Sequence, residues 1–259
     1  MIDPTKHKPV ERFEGLAAVY DRYRPDYPHS AIHYILSRAG MKSGGRIADI
    51  GCGTGISSRL MAMEGFEVIG VEPNADMRRQ AEAAPCSAAI APSYREGRAE
   101  ATGLPDNFAA LVLAAQAFHW FSPPAALPEF IRILKPGGWI VLIWNEPDRS
   151  HPATDEYMRL QERHSPEPDI AKRVQSRTGD VLLTWAGLEK AKLVEFTHSQ
   201  KLDRAGLRGR ALSASYAPKE SIARSKLCDE LDKLFDQYQI GECIELRYRT
   251  PVYSARKPH

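Results

Sequence analysis

A glycine-rich turn between a short apolar strand and an amphipathic helix most constrains what this chain can fold into. The segment reads Ile47-Ala-Asp-Ile-Gly-Cys-Gly-Thr-Gly55. Glycines after a strand let a ligand approach the backbone, because no Cβ blocks the way. Glu72 follows at the end of the next predicted strand, where a carboxylate can accept hydrogen bonds from both hydroxyls of a ribose. The pattern predicts a nucleoside site; the alternative is a turn that only permits close packing.

The surrounding residues alternate short apolar runs with amphipathic runs, as βαβ units do. We predict strands over 46–50, 67–72, near 94–99, 111–115 and 139–144, with helices between them. Strands joined in this way pair in parallel with right-handed crossovers. The expected fold is α/β, a doubly wound, mostly parallel, seven-stranded Rossmann-like sheet with helical lid elements. We expect one domain over residues 1–259, made of an N-terminal helical cap (1–40), a cofactor-binding core (45–145), a substrate-side cap with late strands (146–240) and a final strand (241–257).

Two common nucleotide motifs do not fit the loop. The dinucleotide pattern GxGxxG needs a third glycine, but Ile56 or Ser58 stands there, depending on the frame. The chain also lacks GxxxxGK[ST], which excludes a P-loop. Asp49 before the loop suits a cationic ligand better than a phosphate.

Composition narrows the class of partner. The 259 residues carry a formal charge of +2 and are 43% hydrophobic, the balance of a folded globular protein. Without a charge excess we expect neither a nucleic-acid nor a membrane partner. The first residues contain no apolar segment, which favours a cytoplasmic location. Four widely spaced cysteines favour neither a disulfide framework nor a metal site.

The glycine loop and Glu72-Pro73 resemble the first two motifs of the class I S-adenosylmethionine-dependent methyltransferases, of the methyltransferase type 11 kind. The resemblance continues through residues 99–105 and Leu134-Lys-Pro-Gly-Gly138. The segments 20–28 and 118–121 look like a narrower branch of small-molecule enzymes similar to trans-aconitate methyltransferase. One departure is that Ala109 and Ala110 stand where the family often has an acid.

The resemblance implies S-adenosyl-L-methionine as cofactor. Gly51, Gly53 and Gly55 would face its methionine part, Asp49 would contact that part, and Glu72, on an exposed rim, would hold the ribose. The further cofactor-binding residues that we expect are Tyr20, Arg24, Cys52, Pro73, Met77, Ala99, Glu100, Ala101, Ala115 and Gln116. For Tyr20 and its neighbours, docking of the N-terminal helix is the alternative role.

On the acceptor side, we expect His119 to be the catalytic base; the alternative is that it holds its loop through a hydrogen bond. The residues expected to contact the substrate are Tyr23, Phe118, Trp120 and Tyr216. Three arginines, Arg204, Arg208 and Arg210, form either a clamp for a substrate carboxylate or a solvated charged face.

The leading hypothesis is in-line methyl transfer to a small molecule, with a carboxylate or hydroxyl as acceptor, by a monomer or homodimer. Two alternatives remain open: a non-catalytic protein that binds S-adenosylmethionine, and a nicotinamide-dependent dehydrogenase. A macromolecular acceptor is disfavoured by the nearly neutral net charge.

Overall fold

A computed structural model describes residues 15–167 and 178–259, so parts of both predicted caps, residues 1–14 and 168–177, lie outside the described residues. Within the described residues, one mixed sheet contains eight strands. The strands are β1 (Arg46–Ile50), β2 (Glu67–Val71), β3 (Ser93–Arg95), β4 (Ala109–Ala115), β5 (Leu134–Ile143), β6 (Glu146–Pro147), β7 (Glu189–Leu202) and β8 (Ile244–Arg256).

Helices flank the sheet and form the cap. They are α1 (Ala17–Tyr23), α2 (His29–Arg38), α3 (Ile56–Met63), α4 (Ala75–Ala83), α5 (Pro123–Ile133), α6 (Pro152–His164), α7 (Arg204–Leu212) and α8 (Ser221–Tyr238). Two 3-10 turns cover Phe118–Trp120 and Thr178–Leu183.

The strands from β3 to β5 run parallel in the order β3-β2-β1-β4-β5. Ile50 lies beside Val71, and Asp49 lies beside Leu113, so β1, β2 and β4 end at the same edge of the sheet. The residues that follow these strands therefore meet at that edge. In open α/β sheets this carboxyl edge is where ligands bind.

The strands β1 and β4 are buried on both faces, as their apolar sequences predict. Ile47 and Leu111 pack into the cluster beneath α2 and α3, whereas Ile50 and Val112 pack into the cluster beneath α5. These two hydrophobic clusters, one on each face, make the sheet a rigid platform for the loops at its edge.

The late strands complete the sheet with an antiparallel arrangement. β8 pairs with β5 along one edge and with β7 along the other, so it lies between them. The predicted seven strands become eight because β6, two residues long, also pairs with β8. The predicted final strand (241–257) is β8, which continues through Pro251. The third strand is also shorter than predicted.

The substrate-side cap has its own apolar cluster. Helices α6, α7 and α8 pack together and against the first half of β8 and the end of β7. In this cluster, α8 buries Leu227, Leu231, Leu234 and Phe235. The helix α1 packs against α7, and together they stand over the carboxyl edge.

Candidate functional site

A cavity of about 710 Å³ opens at the carboxyl edge of the sheet. One end is formed by residues that follow β2 and β3, the middle by the loop after β1, and the other end by residues from β4, β5 and the cap. The size is typical of a pocket that encloses a small-molecule ligand. The predicted site residues that line it are Tyr20, Arg24, Gly51, Cys52, Gly53, Glu72, Pro73, Met77, Ala99, Glu100, Ala101, Ala115, Gln116 and Trp120.

The glycine loop requires glycine for two distinct reasons. Gly51, Gly53 and Gly55 all adopt positive φ, at 69°, 55° and 81°, which other residues rarely adopt. A Cβ on Gly51 would lie 2.8 Å from Ala117 and from Phe121, so that position is also sterically closed. A Cβ on Gly53 would meet no atom within 4 Å, because this glycine faces the cavity.

The Glu72 side chain is fixed by backbone donors. Its Oε2 accepts a hydrogen bond from the Gly53 N–H at 3.0 Å, and its Oε1 accepts one from the Asn74 N–H at 2.9 Å. The residue is only 8% exposed, so the expectation of an exposed rim is wrong: the glycine loop folds back over the carboxylate. Burial raises the pKa of this carboxyl above its ordinary value. The result is an oriented acceptor at the cavity wall.

Asp49 lies behind the loop and outside the cavity lining. Its Oδ2 accepts hydrogen bonds from the hydroxyls of Ser57 at 2.7 Å and Ser58 at 2.6 Å, while its Oδ1 is buried without a hydrogen-bond partner. Burial raises the pKa of Asp49 to about 6, and the two serine hydroxyls oppose that rise. Asp49 therefore contributes negative potential beneath the loop, with one acceptor atom unused.

At the end of the cavity near β2 and β3, the floor is apolar. Met77, 3% exposed, lies in the first turn of α4, and its N–H is capped by the Asn74 side chain at 3.0 Å. Ala99 and Ala101 form the border with Arg98, and Glu100 accepts a hydrogen bond from the Ser122 N–H at 2.9 Å. This arrangement suits a flat apolar ring with a polar edge.

The opposite end is tied to the N-terminal segment through Asn145. Its N–H donates to Gln116 Oε1 at 2.9 Å, its Nδ2 donates to the Asp26 carbonyl at 2.7 Å, and its Oδ1 accepts from the Thr250 hydroxyl at 2.7 Å. Gln116 has a φ of 55°, which directs the chain out of β4. The network fixes the entry of the cap onto the sheet.

Cap residues close this end. Arg24 lies over the Tyr20 ring, 4.7 Å from its centroid, and donates from Nη2 to the Ser213 carbonyl at 3.2 Å. Arg210 on α7 also lines the cavity and is 7% exposed. Arg204 and Arg208 form ion pairs with carboxylates of α8. This placement agrees with the alternative that they form a solvated charged face.

Five other predicted residues also lie outside the lining. Gly55 is the N-cap of α3 and lies against the Tyr94 hydroxyl. Tyr23 packs against Gly209 of α7, as expected if its role is to dock the N-terminal helix. Tyr216 lies one layer behind Trp120. Phe118 is fully buried between Phe121 and Phe130.

His119, the fifth, turns into the protein. It is 3% exposed, and its Nδ1 accepts a hydrogen bond from Trp144 Nε1 at 3.3 Å. The turn that carries it directs the next residue, Trp120, to the cavity. This placement agrees with the loop-holding role and does not support contact with a substrate.

Several lining residues were not assigned to the site from the sequence. They are Pro25, Tyr27, Thr54, Ile56, Ser57, Arg98, Ala117, Phe121, Ser122, Asn145 and Arg210. Most are neighbours of predicted residues, and Asn145 follows β5 as Gln116 follows β4. The rule that ligands bind beyond the carboxyl ends of strands identifies Asn145.

Within residues 15–167 and 178–259, no group of three or more His, Cys, Asp or Glu side chains is placed to hold a metal ion. No helix in the described part of the chain has both the length and the apolar character to cross a membrane.

Comparisons with known proteins agree with this geometry. Residues 48–142 match the methyltransferase domain family. An uncharacterized methyltransferase of Mycobacterium bovis is 38% identical over 137 residues, 52% of this chain and 53% of the relative, so the chain spans about half the length of that relative. A methyltransferase-like protein of Schizosaccharomyces pombe is 28% identical over 96% of both chains.

Among solved structures, a phosphoethanolamine N-methyltransferase of Haemonchus contortus, in complex with S-adenosyl-L-methionine, shares the fold. The TM-score is 0.53 at 19% identity, covering 100% of this chain and 61% of that one. The sheet order, the glycine loop and the family match point to the same conclusion. Residues 48–142 match the methyltransferase domain family, and the described residues share the fold of the methyltransferase neighbour.

Proposed function

We propose that the chain transfers a methyl group from S-adenosylmethionine to a small molecule. The observation that carries this proposal is the Glu72 carboxylate, held at the cavity wall by the Gly53 and Asn74 N–H groups. A carboxylate so oriented is suited to accept hydrogen bonds from the two hydroxyls of a ribose. The Haemonchus neighbour, which holds this cofactor, has the same fold.

The residues present fit the cofactor along the whole cavity. Glu72 would hold the ribose, and Met77 with Ala99 and Ala101 would border the adenine. The open side of Gly53 leaves space for the methionine part, and the buried, unpartnered Asp49 Oδ1 supplies negative potential for a ligand with cationic groups. No pyrophosphate-binding feature is needed for such a ligand.

When bound, S-adenosylmethionine supplies a methyl group on a positively charged sulfur, which leaves as a neutral thioether when a lone pair of the acceptor displaces it. The chain must therefore align the acceptor and exclude water. Trp120 and Phe121 line the cavity and give it apolar walls. Cys52 also lines the cavity, but burial raises the pKa of its thiol, so the thiol stays protonated. In-line methyl transfer requires no covalent nucleophile.

The space available supports a small acceptor. The cofactor and the acceptor must share about 710 Å³, and the cap helices α1 and α7 bring Tyr20, Arg24 and Arg210 to one end. A long polymer would need an open groove with a basic surface, whereas the net charge of the chain is +2.

The test uses two measurements. Isothermal calorimetry should show that S-adenosylhomocysteine binds and that NADH does not; the reverse result would assign the chain to the dehydrogenases. Transfer of label from methyl-labelled S-adenosylmethionine to a panel of small carboxylates and phenols then distinguishes an enzyme from a binding protein. Binding without transfer to any acceptor would contradict the catalytic proposal.

A further inference from the structure

Two arginines at the cap end of the cavity lack a carboxylate partner. Arg24, at the end of α1, and Arg210, on α7, both line the cavity, and neither forms an ion pair within the described parts of the chain. Their neighbours behave differently: Arg204 and Arg208 pair with Asp236 and Asp232. The unpaired arginines are the ones that face the ligand space.

Arg210 is a built feature rather than a surface charge. It is 93% buried, and its Nε has no hydrogen-bond partner. The side chains of Tyr157, Tyr216 and Tyr248 lie close to it. These tyrosines do not line the cavity whereas Arg210 does, so the guanidinium lies between the tyrosines and the ligand space.

The two guanidinium groups also repel each other. Burial lowers the pKa of Arg24, and the positive charge of Arg210 lowers it further. A buried charge without a counter-ion is costly, and two adjacent charges of the same sign are more so. The carboxylates that line the cavity, Glu72 and Glu100, have backbone partners toward the β2–β3 end. Among residues 15–167 and 178–259, no carboxylate therefore neutralises the two arginines of the cap end.

The proposed cofactor neutralises only part of this charge, because S-adenosylmethionine carries a single carboxylate. One carboxylate cannot neutralise two guanidinium groups. The Arg24 Nε, like that of Arg210, is buried without a partner, so each arginine has donor capacity to spare. The second anion must then come from the other ligand of the same cavity, which is the methyl acceptor.

We propose that the acceptor is an anionic small molecule whose carboxylate binds to Arg210. The inference rests on the proposed methyl transfer and names the class of its substrate. A planar guanidinium with several donors matches a carboxylate through two parallel hydrogen bonds. The role of Arg210 is to bind and orient the acceptor.

The first test is calorimetry on the protein saturated with S-adenosylhomocysteine, with succinate as the probe and succinamide as its neutral counterpart. We expect succinate to bind about tenfold or more tightly than succinamide, and Arg210→Gln to abolish that difference. The Kd of S-adenosylhomocysteine should change less than about threefold. Arg208→Gln, on the same helix but in a surface ion pair, is the matched control and should behave as wild type.

The outcomes separate the two proposals. If S-adenosylhomocysteine does not bind the wild-type protein, the proposed function fails. If it binds and succinate shows no advantage over succinamide, the anionic acceptor is refuted alone. An equal loss of cofactor affinity in Arg210→Gln would assign this arginine to the cofactor, and tighter binding of inorganic phosphate than of succinate would refute a carboxylate.

A second measurement needs no ligand. Because the charge of Arg210 is buried and unpaired, Arg210→Met should raise the Tm of the ligand-free protein by about 2–4 °C. A merely structural arginine would give a lower Tm on the same substitution, and that result would overturn the proposal. The wild-type protein with S-adenosylhomocysteine and succinate should in turn gain more stability than Arg210→Met does.

Discussion

Glu72→Ala provides a sharp test of the cofactor site, because the structure separates what the side chain does for the ligand from what it does for the fold. In the ligand-free protein, its two oxygens satisfy the N–H groups of Gly53 and Asn74. In the proposed complex, the same carboxylate also binds the ribose. Removal of the side chain should therefore change both the affinity for the cofactor and the stability of the loop.

The magnitudes follow from the kinds of bond that are lost. Hydrogen bonds to a charged group contribute about 1.5–3 kcal/mol, which corresponds to about a 10- to 150-fold rise in Kd. Two backbone donors that lose their acceptor cost about 1–3 kcal/mol of unfolding free energy. Release of a buried carboxylate, with a pKa that burial raises, offsets part of this loss of stability.

The assay is calorimetry with S-adenosylhomocysteine, combined with urea unfolding of the ligand-free protein. Glu82→Ala is the matched control, since Glu82 is exposed on α4 and away from the cavity lining. We expect the control to bind as wild type. If Glu72→Ala folds and binds S-adenosylhomocysteine with unchanged Kd, the assignment of this carboxylate to the ribose is refuted.

Three further predictions test neighbouring features. Gly53 and Gly187 both have positive φ, at 55° and 87°, and open space where a Cβ would lie. Substitution of either by valine should therefore cost about 1–3 kcal/mol of unfolding free energy. Only Gly53→Val should abolish S-adenosylhomocysteine binding in calorimetry. Equal binding by the two would make the loop a packing turn. With its pKa raised from 3.8 to about 6, Asp49 keeps a proton in the folded chain that the unfolded chain has released, so its contribution to stability falls by about 3 kcal/mol as the pH rises through that window. Urea unfolding at pH 4 and pH 7 should show most of this loss in wild type and not in Asp49→Asn, and parallel pH profiles would contradict it. His119→Ala should lower the unfolding free energy by about 1–3 kcal/mol because it leaves the buried Trp144 Nε1–H without its acceptor, whereas a stable variant with reduced turnover would restore the catalytic role.

The sequence predicted the part of the site that depends on strand ends. Parallel strands end at one edge, so Gly51 after β1, Glu72 after β2 and Gln116 after β4 had to converge there. The predicted fold class is confirmed, because β1 to β5 pair in parallel as their alternation with helices predicts. The burial of Glu72 could not be predicted, since it depends on how the loop closes over the carboxylate.

Side-chain direction within short turns was also beyond the sequence. His119 and Trp120 are adjacent after β4, yet only Trp120 lines the cavity. In a 3-10 turn the faces change with each residue, and periodicity over three residues carries no information. The arginines of α7 are different: a spacing of four puts Arg204 and Arg208 on one face of the helix, and Arg210 falls on another. The spacing therefore distinguishes Arg210 from Arg204 and Arg208 in the sequence alone.

The position of β8 has a consequence for the order in which the sheet can assemble during synthesis. The described partner of β7 is β8, which is made later, and β5 lacks that neighbour until the same moment. A nascent chain that has emerged only as far as α8 therefore presents two unpaired strand edges at once. β8 provides the partner for both edges, so their exposure to aggregation and to chaperones lasts until Ile244–Arg256 has emerged from the ribosome.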